Sequence, residues 1–429
     1  MKKVIALVVL LSIMLGSVTV SYAATEGKYG LFSYRLNGNG TAVITNYDWN
    51  GWNGKDDIYV PPMIEGYPVT AIDDEAFLST QVIPYNDTTP GARVHLPESL
   101  VSIGNKAFFG SSLETVNIPN SIMLIGEGAF SNCKKLIKMD VAAGHTKYTT
   151  IEGVLYDKTK KELMACPHKV IMGKYGELQI PEGIVRIGSY AFYRMAKEGY
   201  ISKVIIPSTV KEIGESAFWG AGISYNFLTE ELATVGDYAF SGATLGVRTN
   251  DANGVFPVLH DVGEGCFEKA KMEWNETYFV FAEEIPDYTF CDCSKDSLGL
   301  VQVFVSGDFK KIGKYAFYGE YLTPTFSLTW DACTEIDEHA FENAKLFNKG
   351  GYYEFGSALK KIGTSAFAGC SINKYILPDT VEYIAYDTFD LHDDTFSVSK
   401  GSYAEIWATQ NGYGYKCDGE EDDLSWLMS

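Results

Sequence analysis

The chain of 429 residues lacks most features on which a catalytic or nucleic-acid-binding reading would rest. It has no cluster of lysine and arginine, and 35 basic residues stand against 55 acidic ones. That excess repels phosphate backbones and anionic lipid, which argues against nucleic acid as a partner. Histidine is scarce, with single copies at 95, 145, 168, 260, 339 and 392. None falls in His-Glu-x-x-His spacing, and neither a Gly-x-Ser-x-Gly elbow nor a phosphate-cradling glycine loop occurs. His95 reads as an outward strand residue and His339 as an exposed slot, so both are expected to be solvated. No Pro-rich, Ser-rich or low-complexity linker divides the chain, and no hydrophobic stretch lies near its C-terminus. No catalytic residue, metal ligand or cofactor is expected.

One apolar run is present, at the start. Lys2 and Lys3 precede residues 4–15, and Ser21 and Ala23 are spaced as a signal peptidase site. The run is too short to span a bilayer and has the charged start of a secretory signal, here residues 1–23. Its removal takes the formal net charge from −20 to −22. The expected product is exported and soluble, or held on a cell surface non-covalently, without stable membrane insertion.

The rest of the chain is repetitive. Twelve times an aliphatic residue is followed five positions later by phenylalanine, as in Ile72–Phe77, Ile103–Phe108 and Ile125–Phe130. Later copies end at Phe192, Phe218, Phe240, Phe267, Phe290, Phe317, Phe341, Phe367 and Phe389, most of them 22 to 27 residues apart. A period in the twenties marks a solenoid, in which each coil contacts only its neighbours. In the best-preserved coil, Val204 and Ile206 alternate with outward positions as a short strand, and Pro207, lacking an N–H, stops the ladder. Val210, Ile213, Ala217 and Phe218 follow at spacings of three and four, which predicts a short helical or 3₁₀ segment with one inward face. The glycine after the aliphatic residue suits the turn that would start that segment. Between Phe130 and Phe192 the interval is 62 residues, and two short apolar runs around residues 157–160 predict a β-hairpin replacing or decorating a coil.

Three cysteines, Cys133, Cys293 and Cys370, sit three residues after a motif phenylalanine, a core slot of the repeat. Cys133 and Cys370 are eight motifs apart, or roughly 38 Å at about 4.8 Å per coil, far beyond disulfide reach. Buried free thiols are expected, with a local bridge from Cys266 to Cys291 or Cys293 left open. No pair of cysteines has zinc-ligand spacing. Acidic corners and the tail 418–423 leave calcium open without EF-hand spacing.

These coils closely resemble the BspA-like leucine-rich repeat family of bacterial surface and secreted proteins. The resemblance rests on Val116–Phe130 and Val204–Phe218, on an opening with Phe32-Ser33-Tyr34 and Thr41–Thr45, and on Gly153-Val154-Leu155-Tyr156. It covers about residues 29–416. It implies a right-handed curved solenoid with short parallel strands on one face, and some relatives acting as adhesins. The implied organisation is an N-terminal β cap over 24–71, a repeat array over 72–390 with a hairpin variant coil near 133–180, and a C-terminal cap and acidic tail over 391–429. From about Ile223 to Phe355 the strands lose their proline, a departure from the pattern.

The pairs Asp73-Asp74, Glu230-Glu231, Glu283-Glu284 and Asp393-Asp394 read as solvated corners, since adjacent residues point apart. Aromatic residues are the richer signal. Strand register predicts outward side chains at Tyr59, Asn117, Gln179, Ile205, Phe304, Tyr352 and Ile376. Of these, Tyr59, Ile205, Phe304, Tyr352 and Ile376 are the candidate ligand-binding residues, because exposed apolar groups mark contact sites. Trp49, Trp52 and Trp274 are further candidates in loops. The leading expectation is a non-catalytic adhesion or recognition protein whose partner is a protein or glycan on host or neighbouring cells. A structural scaffold of the cell envelope is the alternative, and an extracellular polymer hydrolase a weaker one.

Overall fold

The computed structural model describes residues 25–417, except 80–89, 159–160, 170–176, 196–202, 223, 226–231, 246–258, 273–275, 281–282, 295–300, 307–308, 320–321, 327–330, 347–351, 373 and 391–393. The expected signal segment and acidic tail lie outside the described residues, as do Trp274, His392 and the Glu230-Glu231 pair.

The chain winds as a β-solenoid. Each coil contributes a front strand, such as Leu113–Ile118 or Lys203–Ile205, that pairs in parallel with its equivalent in the next coil. Val204 and Ile206 point inward and are buried, while Ile205 between them is half-buried, as the alternation requires. A second ladder follows the turn after the front strand. Its two-residue strands, Arg186–Ile187, Glu212–Ile213, Thr234–Val235 and Asp261–Val262, hold the motif aliphatic residues in parallel register.

The helical or 3₁₀ segment expected on the back of each coil is not formed. Alternate amides there bond within the coil and between coils. Ala217, Trp219 and Ala221 donate to Gly214, Ser216 and Phe218, each three residues back. Ser216, Phe218 and Gly220 donate instead to Asp237, Ala239 and Ser241 of the next coil, at 2.7–2.8 Å. A helix would spend every amide inside its own coil, whereas this ribbon of linked turns stitches neighbours together. The alternation requires left-handed residues two before and two after the phenylalanine, here Ser216 (φ 51°) and Gly220 (φ 60°). Turns closed three residues apart bring residues 213, 217 and 218 to one side as a helix does, which is why the spacing read as helical.

The motif glycine also has a different task from the one expected. Gly236 is not left-handed, but a Cβ on it would lie 2.7 Å from the backbone nitrogen of Glu215 in the preceding coil. At Gly214 the corresponding approach, to Ser189 N, is 2.6 Å. The residue is small so that two backbones can touch.

All twelve motif phenylalanines are at most 3 % exposed. Their rings stack at centroid separations of 4.5–5.5 Å from Phe77 to Phe130 and again from Phe192 to Phe389. The interruption falls at the expected hairpin, formed by Tyr148–Ile151, Val154–Asp157 and Glu162–Ala165, and it separates two apolar cores. Glu162–Ala165 then rejoins the ladder beside Arg186–Ile187, so Leu163 takes the slot of the motif aliphatic residue. His168, five residues on, holds the sequence slot of the phenylalanine. It is 7 % exposed and His145 is 3 % exposed, so these two histidines are core residues rather than solvated ones. His339 is not freely solvated either: it is half-buried, left-handed, stacked 4.5 Å from Tyr315, and its Nδ1 lies 2.7 Å from Glu342.

The ends are covered. Thr25–Tyr29, Phe32–Leu36 and Ala42–Tyr47 form an antiparallel sheet that continues in parallel into Tyr67–Ile72. At the other end, strands Thr395–Val398 and Gly414–Cys417 flank helix α1 (Tyr403–Asn411), capped by Ser402 and by left-handed Gly412. No helix among the described residues is long and apolar enough to cross a membrane. All eight cysteines are free, so Cys266 pairs with neither Cys291 nor Cys293. Cys133, Cys293 and Cys370 each donate to the carbonyl of the motif phenylalanine one coil back, Phe108, Phe267 and Phe341, at 3.0, 2.8 and 3.0 Å. Burial pushes the Cys133 thiol up to about 12, consistent with an inert core group.

Candidate functional site

The candidate residues do not converge. Tyr59 lies on the edge strand of the first front sheet, whose register runs Tyr59, His95, Asn117, Asp140. Ile205 belongs to a second front sheet opposite Gln179, and Phe304 to a later one opposite Tyr278 and Thr325. The side chain of Phe304 lies outside the described residues. Ile376 faces Glu354, not Tyr352, so the two candidates stand one pleat apart in the last front sheet. Ile205, Tyr352 and Ile376 are half-buried. Among the candidates with described side chains, Tyr59 alone is an exposed aromatic, at 66 %.

Around Tyr59 a built corner exists. The loop before it begins with Asp48, whose Oδ1 accepts the Asn50 amide at 3.1 Å. Asn53 Oδ1 accepts the amides of Lys55 and Asp56, both at 3.0 Å, an Asx turn that fixes the loop tip. Trp52 Nε1 donates to Asp56 O at 2.9 Å, and the indole meets Trp49 edge-on at 5.7 Å. Trp49, expected as an exposed candidate, is buried: it donates to Phe77 O at 2.8 Å and so ties the loop to the phenylalanine spine. Beyond the loop, the Tyr59 ring lies parallel to His95 at 4.4 Å and 8°. His95 Nε2 donates to Asp57 Oδ2 at 2.9 Å, which fixes the imidazole plane and with it the tyrosine.

A cleft of about 230 Å³ opens between the loop and Tyr59, lined by Leu31, Trp52, Asn53, Asp56, Asp57 and Tyr59 among others. Among the described residues no serine, threonine, cysteine or lysine lines it, so it carries none of the commonest activated nucleophiles. What it offers is a pre-positioned aromatic face beside carboxylates and an amide.

Of the acidic pairs, Glu283-Glu284 is exposed as expected, whereas Asp73-Asp74 and Asp394 serve the fold. Asp73 pairs with Arg35 at 3.0 Å, and Asp74 Oδ1 accepts the Asn105 amide of the next coil at 2.7 Å. Asn105, Asp237 and Asp287 accept amides in the same way, a ladder that the sequence reading missed although Asn or Asp recurs three before the phenylalanine. Asp394 is buried and accepts the Asp390 amide, so it is not a solvated corner. Among the described residues no three His, Cys, Asp or Glu side chains are grouped to hold a metal ion. At the hairpin junction, Arg186 bonds Glu162 and also Glu212 at 2.6 Å, tying three coils together. Outside the spine, Phe109 meets Tyr193 edge-on at 5.3 Å and Tyr193 stacks on Trp219 at 4.9 Å across the same junction.

A profile of the BspA type leucine rich repeat region matches residues 70–170, 172–297 and 260–395, in six copies. The chain belongs to this family. BspA-type proteins are usually found at the bacterial cell surface or secreted. No curated protein matches the sequence. Among solved structures, this BspA-type chain is similar to a leucine-rich repeat protein from Eubacterium ventriosum, at 18 % identity and a TM-score of 0.43, over 82 % of this chain and 97 % of that one. A leucine rich cell surface protein from Faecalibacterium prausnitzii is similar at 19 % identity and 0.40, over 95 % and 98 %. A leucine-rich repeat protein from Bacteroides ovatus is similar at 18 % and 0.43, over 93 % and 99 %.

Proposed function

We propose that this BspA-type protein is an exported, non-catalytic recognition module that holds a protein or glycan of host or neighbouring cells on the outward face of its strands. The observation that carries this reading is the contrast between inside and outside. Inward positions repeat coil after coil, whereas register partners outside change from Tyr59 to His95, Asn117 and Asp140, and from Glu354 to Ile376, Ser397 and Lys416. Packing has no use for such individuality, and a long stacked surface of differing side chains is what solenoids employ for binding. The charged start of the chain and its short apolar run support export.

The test is a solid-phase screen of chain 24–429 against matrix proteins and glycans, followed by alanine variants at Tyr59, Ile205, Phe304, Tyr352 and Ile376. Retained binding of a defined ligand and its loss on changing one of these residues is the expected outcome. Silence across both panels would defeat the reading, and a ligand indifferent to all five changes would remove the strand face.

A further inference from the structure

We infer that the corner between Trp52 and Tyr59 is a saccharide site for the flat face of a neutral sugar ring. The inference rests on the recognition reading above and assigns a ligand chemistry to one place on it. Three observations carry it. First, an exposed tyrosine is rarely held still, yet Tyr59 is backed ring-to-ring by His95, which Asp57 pins in turn. A stationary aromatic face costs little ordering entropy when a partner stacks on it. The axial C–H edge of a pyranose carries slight positive charge and suits the negative ring face. Second, the neighbouring rim supplies planar polar groups, Asp56, Asp57 and Asn53, where sugar hydroxyls would both donate and accept. The loop that presents them is internally bonded and anchored through Trp49 to the spine. Third, the cleft measures about 230 Å³ and is open, which admits one or two sugar rings and is below the usual size of an apolar-ligand pocket.

The charges select within the class. Among the described residues no lysine or arginine lines the cleft, whereas Asp56 and Asp57 do, in a chain of net charge −20. Sialylated and uronic-acid glycans are therefore disfavoured against neutral hexoses and N-acetylhexosamines.

The experiment uses chain 24–429 with chitobiose, lactose and mannobiose as neutral probes, sialyllactose as the anionic one, and the peptide Gly-Trp-Gly as a non-saccharide aromatic. Titration is followed by calorimetry and tryptophan fluorescence. At least one neutral disaccharide should bind and perturb tryptophan emission. Tyr59→Ala, at an exposed position that leaves the melting temperature unchanged, should weaken it tenfold or more. Tyr59→Phe should retain it, and Asp57→Ala should weaken it by removing the acceptor that holds His95. Absence of neutral-sugar binding, binding unaffected by Tyr59→Ala, or preference for sialyllactose or the peptide would each overturn the assignment. A protein ligand that binds wild type and Tyr59→Ala alike would leave the recognition reading standing while removing the saccharide site; silence toward every probe and protein would remove both.

Discussion

Replacing Phe218 by alanine tests the spine directly, and the same change at Phe130 supplies the internal control. Both rings are at most 1 % exposed, so each truncation removes a similar apolar side chain, at about 3–5 kcal/mol. Their neighbours differ. Phe218 is stacked on both sides, 4.9 Å from Phe192 and 5.2 Å from Phe240. Among the described residues Phe130 stacks only on Phe108, at 5.5 Å, because the hairpin coil follows it. Each offset ring pair contributes about 0.5–1.5 kcal/mol beyond burial, so Phe218→Ala should exceed Phe130→Ala by about that amount. Urea denaturation followed by tryptophan emission gives the stabilities. Hydrogen exchange at Lys203–Ile205 and Glu212–Ile213 then guards against non-cooperative unfolding, to which stacked repeats are prone. Equal costs at the two sites, or a loss under about 2 kcal/mol at Phe218, would refute the claim that stacked rings form the load path of the array.

Acidification should weaken the variant coil. Burial, reinforced by the nearby Lys134 and Arg194 and partly offset by a hydrogen bond to the Tyr193 backbone, lowers His168 to about 4, whereas in the unfolded chain it titrates near 6.5. The unfolded state therefore binds the extra proton, so this contribution is intact above about pH 6.5 and is lost as pH falls toward 4, at up to about 1.4 kcal/mol per unit. Comparing wild type with His168→Gln by urea titration at pH 7 and 5 should show a smaller acid loss in the variant; equal losses would place the proton elsewhere. Gly236→Ala should cost about 1–3 kcal/mol by pressing a methyl onto the Glu215 backbone, and an unchanged denaturation midpoint would contradict that contact. Thiol titration without reductant should count eight thiols in guanidinium and at most two, the half-buried Cys370 and Cys417, in the native protein; a count of six after denaturation would reveal a disulfide.

The solenoid was legible because its cause is periodic: one phenylalanine per coil, stacked on the next, leaves a fixed interval in the chain. The back of each coil was not. Linked turns and a helix both bring residues three and four apart to one side, so Val210, Ile213, Ala217 and Phe218 carry no mark that separates them. What distinguishes the turns is backbone hand, and Ser216, Tyr190 and Tyr238 adopt left-handed φ without being glycine. Their strain, about 1–2 kcal/mol each, is offset by hydrogen bonds between coils that no local pattern encodes. The variant coil was legible as a hairpin, but its seat in the ladder was not. Leu163 keeps the aliphatic half, but the amide bond of the motif phenylalanine is made by Cys166, which donates to Ala191 O at 3.1 Å, so a search for the motif passes over this coil.

The candidate site shows a sharper version of the same limit. Alternation marked Tyr59 as outward, and the structure places it there. Nothing in alternation separates it from Ile205 or Ile376, which share the outward parity but are half-buried. The difference comes from position in the stack. Ile205 and Ile376 lie on strands flanked by paired strands on both sides, whereas Tyr59 stands on an edge strand that meets the cap loop 48–57. Repetition makes the interior stable by making every coil alike, and the cleft beside Tyr59 arises where a coil meets something that is not a coil. In this chain that junction joins two tryptophans, an Asx turn and an anchored tyrosine–histidine pair, the loop and Tyr59 drawn from the cap and His95 from the first front strand of the array.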